Sequence, residues 1–215
     1  MILLFITAKI LLFIAVITLL EKYDENAGLQ IRNKEYVTMG MIFAVVEVLL
    51  FSFYGYGRDY VCRSLVLYYL TAAALIDYKT RRVYRIGSMA FIAVSAFMLF
   101  LNWNGNSYFM IEKLSSILVF SLIVIFQGMH SMMGWGDVLT YIGVFLWLGS
   151  LSYGCMTIEI LSVYMLLANL LFFICNIRKF DWKLKAMKEE VAFLPAMTGA
   201  VLIIEFLFWV TNRGY

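Results

Sequence analysis

The sequence predicts an all-α fold, a polytopic membrane protein of about eight transmembrane helices forming one domain (1–215), on three observations. Hydrophobic residues make up 64% of the chain and mean hydropathy is +0.88. Charged residues are only 14%, and the single proline, Pro195, leaves nearly every apolar run unbroken. The apolar residues fall in long runs divided by short polar segments. That is the pattern of spanning helices, each needing about 20 apolar residues and satisfying its own backbone hydrogen bonds.

Eight runs follow in order: Met1–Leu20, Val37–Tyr54, Tyr60–Ile76, Ile86–Leu101, Leu114–Gln127, Val138–Leu151, Cys155–Ile177 and Val191–Thr211. The first resembles a secretory leader in length, but its one charge, Lys9, lies inside the run and no small-residue cleavage site follows, so a retained helix is expected. Several runs are short, the sixth above all, which calls for tilting or local thinning of the bilayer. Lys and Arg crowd into alternate loops. Lys22, Arg32 and Lys34, then Lys79, Arg81, Arg82 and Arg85, then Arg178, Lys179, Lys183, Lys185 and Lys188 account for most of the 17 basic residues. The bias toward positive charge inside puts those loops in the cytoplasm and both termini outside.

A formal charge of +3 gives no basis for nucleic-acid binding. Cys62, Cys155 and Cys175 stand far apart with no C-x-x-C pair, so neither a zinc site nor a disulfide framework is indicated, and no metal or cofactor is expected.

Two carboxylates carry the chemistry. Asp77 ends the third run, and Asp137 starts the sixth within Gly134-Trp135-Gly136-Asp137. A carboxylate at membrane depth is costly, which makes each a functional candidate. Two crossings separate them, so both are expected at the same, cytoplasmic boundary, where they converge if the two helices pack together. A pair of close carboxylates shares one proton and suits peptide hydrolysis: the ionised member takes a proton from water while the protonated one polarises the scissile carbonyl. Helix dipoles favour the charged form of Asp137 near an N-terminus and the neutral form of Asp77 near a C-terminus, with Lys79, Arg81 and Arg82 opposing the latter. The bland alternatives are a solvated Asp77 paired with Lys79 or Arg81, and an Asp137 that caps its helix.

With these residues in view, the chain resembles the bacterial type IV prepilin peptidases, membrane aspartyl proteases with one aspartate after a helix and another in a Gly-x-Gly-Asp motif. The likeness rests on Ala74-Leu75-Ile76-Asp77-Tyr78-Lys79-Thr80-Arg81-Arg82, on Gly134-Trp135-Gly136-Asp137-Val138 with Gly143 and Trp147-Leu148-Gly149, and on Val191-Ala192-Phe193-Leu194-Pro195-Ala196-Met197-Thr198-Gly199-Ala200. The resemblance implies Asp77 and Asp137 as the catalytic pair, Gly134 and Gly136 as shaping residues with Pro195, and a prepilin or pseudopilin substrate losing a short basic leader at the cytoplasmic face of the cell membrane. Where the family usually has Ile-Pro-Asn this chain has Val83-Tyr84-Arg85, and Leu139 stands in place of a lysine. The loop Glu21–Tyr36 lacks the paired cysteines of relatives with methyltransferase activity, so cleavage without N-methylation is expected. Presenilin-like proteases share the Gly-x-Gly-Asp motif, but Met197 after Pro195-Ala196 fits their proline-alanine-leucine element less well.

Further candidates surround this set. His130 precedes the motif and is weighed as a substrate contact or an interfacial residue; Glu189 and Glu190 are weighed as acidic attractors of a basic leader or as a solvated face. Glu47 and Glu205, carboxylates inside apolar runs, support a rival reading as a proton-coupled transporter, or form a structural hydrogen-bonded pair. A catalytically silent relative that binds pilin-like helices is a third possibility. Oligomeric state is left open.

Overall fold

The computed structural model describes Thr7, Lys9, Leu11, Ile14, Ala15 and Thr18, and residues 33–81, 83–102, 107–130, 133–151, 156–181, 186–187 and 191–212. The protein is all-helical, with α1 at Asn33–Tyr54, α2 at Arg58–Thr80, α3 at Arg85–Leu101, α4 at Ser107–Met129, α5 at Trp135–Leu151, α6 at Met156–Asn176 and α7 at Leu194–Asn212. A 3-10 turn follows α6, and a two-residue antiparallel ladder, β1 (Phe180–Asp181) and β2 (Ala186–Met187), pairs Phe180 with Met187. Every apolar run from the second to the eighth is a helix. The six described residues of the first are helical too, and Thr18 Oγ1 donates to Ile14 O at 2.8 Å, one turn back.

The expected number of spans is corrected by helix length. Three helical segments among the described residues are long and apolar enough to cross a membrane: Tyr60–Thr80, Ser107–Met129 and Met156–Lys179. The apolar helices Gly40–Tyr54, Arg85–Leu101, Trp135–Leu151 and Leu194–Val210 are shorter. At 1.5 Å per residue, 17 residues reach only about 25 Å, against a hydrocarbon core of about 30 Å.

The chain divides into two compact units, Met1–Arg81 and Arg82–Tyr215. In the first, α1 packs on α2. The buried side of α2 runs through Tyr60, Ser64, Leu67, Leu70, Ala74 and Asp77, steps of three and four that keep one helical face turned inward. From α1, Phe43, Glu47 and Leu50 are buried on the same period, and Phe43 stacks on Tyr68 with centroids 4.4 Å apart. Lys9 joins this core through its ammonium. It lies 3.3 Å from Glu47 Oε1, donates to Ser64 Oγ at 2.7 Å and sits 4.5 Å from the centroid of the Tyr60 ring, whose hydroxyl also donates to Glu47. Ser64 in turn donates to Val61 O at 3.0 Å, which closes the network.

In the second unit α5 is the central element, packed against α3, α4 and α6. Ten of its 17 residues are buried, Val138, Tyr141, Val144, Phe145, Trp147 and Leu148 completely. Hydrophobic burial contributes little to helix association inside lipid, where close packing and polar ties do the work. Both are present where α3 meets α5. A Cβ on Gly143 would fall 2.4 Å from Phe91 Cδ1, so the two helices approach through that glycine. Ser88 and Thr140, both fully buried, join by a hydroxyl contact of 3.2 Å, and Thr140 also donates to Gly136 O at 2.9 Å. The outward residues of α4, among them Ile111, Leu118, Leu122 and Phe126, are large, apolar and exposed, as a lipid-facing surface requires.

Candidate active site

Asp77 lies in the last turn of α2. The helix stops four residues later because Arg81 enters the left-handed region (φ 55°) and its N–H bonds back to Asp77 O at 2.9 Å. A left-handed residue after the final turn is a common helix stop, though glycine is its usual occupant. The Asp77 side chain is 5% exposed. It occupies the inward position three residues after Ala74. Arg81 is exposed, its guanidinium 5.7 Å from the Tyr78 ring centroid.

Asp137 lies in the first turn of α5, the third residue of the helix. Val138 N donates to Gly134 O at 3.0 Å, which makes Gly134 the cap residue. An acidic side chain at the third position reaches back toward the cap. This one does: a Cβ on Gly134 would lie 3.1 Å from Asp137 Oδ2. Gly136 is required for a different reason. A Cβ there would meet Val83 Cβ at 2.4 Å, Val83 Cγ1 at 3.0 Å and Val83 O at 3.2 Å, so the segment before α3 passes directly against the start of α5. One glycine of the motif thus leaves room for the carboxylate and the other for a neighbouring backbone.

One turn into α5, Tyr141 stands behind Asp137. It is fully buried, with its ring centroid 5.7 Å from Phe193, 5.6 Å from Tyr164 and 5.5 Å from Phe145. Phe193 is the residue before α7, and its carbonyl accepts from Ala196 N at 3.0 Å and Met197 N at 3.3 Å. It also packs on Phe172 of α6 at 4.7 Å. Pro195 is the second residue of α7, where the missing N–H belongs to the first turn and removes no hydrogen bond. Its side chain is exposed, so any shaping it does acts through the backbone that sets Phe193.

His130 follows the last residue of α4 and is exposed, its ring 4.3 Å from Phe126. Glu189 and Glu190 lie outside the described residues. Glu205 is 5% exposed on α7. Glu47, 1% exposed, has its ion pair with Lys9. Among the described residues no group of three or more His, Cys, Asp or Glu side chains could hold a metal ion.

Sequence reasoning missed Val83, Tyr141 and the role of Lys9. Only the tyrosine left a signal, its spacing of four from Asp137. No family model, no curated protein and no solved structure matches the chain. The fold and the three long apolar helices define an α-helical, membrane-associated protein.

Proposed function

We propose that the protein is an intramembrane aspartic endopeptidase of the prepilin-peptidase type, with Asp77 and Asp137 as its catalytic pair. The observation that carries this reading is the construction of the Asp137 corner. Gly134 admits the folded-back carboxylate, and Gly136 admits Val83, which stands only six residues after Asp77 in the chain. An aspartate that merely caps a helix needs no glycine at either position. The burial of Asp77 at the end of an apolar helix adds support, since an aspartate without a task is rarely kept from water.

In this reading Asp137, favoured as the anion by the N-terminus of α5, takes a proton from water, and protonated Asp77 donates to the scissile carbonyl oxygen as the hydroxide adds. The pair then returns the proton to the leaving amine. The substrate is a prepilin or pseudopilin helix whose short basic leader is removed at the cytoplasmic face of the cell membrane, without N-methylation and without a cofactor. A proton-coupled transporter built on Glu47 and Glu205 has less support, because Glu47 is engaged with Lys9 and Tyr60.

The test is co-expression with a candidate prepilin. Asp77→Asn and Asp137→Asn each abolish leader removal at unchanged protein level. Cleavage at the wild-type rate by either variant ends the dyad assignment. Substrate accumulation that collapses with the proton gradient, with no proteolysis, would favour the transporter instead.

A further inference from the structure

Tyr141 and Tyr164 are both fully buried, and neither hydroxyl has a hydrogen-bond partner among the described residues. A buried hydroxyl left without a partner costs about 1–3 kcal/mol, so such groups are held near something that uses them. The two differ in what stands beside them. Tyr141 is four residues after Asp137 on α5, and side chains on a helix lean toward its N-terminus, so the Tyr141 ring extends back over the turn that carries the carboxylate. Tyr164 lies instead on α6, where its ring neighbours are Tyr141 at 5.6 Å and Phe145 at 6.1 Å. The ring has little freedom to turn elsewhere, since Phe145, Tyr164 and Phe193 pack around it.

We propose that Tyr141 is a positioning residue for Asp137, its hydroxyl tying the carboxylate, through one water, into the orientation from which it accepts a proton. The inference rests on the proteolytic reading for its catalytic consequence, though not for the contact itself. Two of the rings that hold Tyr141, Tyr164 on α6 and Phe193 before α7, come from other helices. The packing of Phe193 on Tyr141 thereby gives the Phe193-Leu194-Pro195 stretch a route to the site.

The experiment compares Tyr141→Phe with Tyr164→Phe in the full-length protein in detergent micelles. Each substitution keeps the ring and removes one equally buried hydroxyl, so packing is preserved in both. With a prepilin-derived substrate, Tyr141→Phe lowers kcat by about 10–100-fold, short of the roughly 10²–10⁴-fold a general base supplies because the base itself remains, and leaves KM within about twofold. Tyr164→Phe leaves both within about twofold. In protein labelled with 13C at aspartate carboxyls, the Asp137 resonance, assigned by its loss in Asp137→Asn, moves in Tyr141→Phe and stays in place in Tyr164→Phe. An unchanged kcat and resonance in Tyr141→Phe, or equal losses in both tyrosine variants, overturns the proposal. Should the wild-type protein cleave no prepilin, the proteolytic reading fails by itself, and the carboxyl resonance alone decides whether Tyr141 holds Asp137.

Discussion

Replacing Gly136 with alanine tests the close approach on which the Asp137 corner depends. The new methyl group would arrive 2.4 Å from Val83 Cβ and 3.2 Å from Val83 O. Ordinary carbon contacts lie at about 3.5–4.0 Å, so the overlap exceeds 1 Å, and neither partner atom can rotate away as the tip of a long side chain would. Overpacking of this kind costs about 1–3 kcal/mol, here at the upper end, while alanine recovers up to about 1 kcal/mol over glycine inside a helix. The net loss is about 2 kcal/mol, a factor of roughly 30 in the folding equilibrium. Reversible unfolding in mixed micelles, followed by tryptophan fluorescence, reads it directly. The second substitution is the sharper part. Val83→Ala retains the atom at 2.4 Å and restores nothing, whereas Val83→Gly removes both Val83 side-chain contacts and restores most of the loss. Wild-type stability in Gly136→Ala, or equal rescue by the two changes at 83, would refute the geometry.

Other substitutions separate stability from activity. Gly134→Ala displaces only the Asp137 carboxylate, by a few tenths of an ångström, so stability stays within about 0.5 kcal/mol while leader cleavage falls several-fold, measured on the same preparation. In the first unit, Lys9→Met strands Glu47, 1% exposed, without its cation and costs about 3–5 kcal/mol in the same unfolding assay. Lys9→Met combined with Glu47→Leu recovers most of that loss, because an apolar pair needs no compensating charge.

Helix existence was legible in the sequence; span number and side-chain partners were not. Apolar runs located α1 to α7, yet α4 begins seven residues before the run that announced it. Glu112 and Lys113 interrupt hydropathy without interrupting backbone hydrogen bonding, so the helix continues back to Ser107. Run counting also treated every apolar helix as a crossing, although hydropathy does not report whether a short helix touches lipid or other helices. At the site, the types and places of Asp77, Gly134, Gly136 and Asp137 were readable because each is unusual in an apolar setting. The reason for Gly136 was not, since it lies in Val83, more than fifty residues earlier. Glu47 stands out as a carboxylate in an apolar run, but its contact with Lys9, 38 positions away, lies beyond any local period. Tyr141 passed as one more aromatic residue of an apolar helix until its burial and its neighbours were known.

The enclosure of α5 has a consequence for how the protein tolerates its surroundings. Apart from Trp135 at its start, none of its residues is exposed, so the helix that carries Asp137 is solvated by protein along its length. Changes in bilayer thickness or acyl-chain composition are therefore met first by outer helices such as α4 and α6. The acidic corner lies where this enclosure opens, beside the exposed Gly134 and Trp135, so that end of α5 alone meets the surroundings.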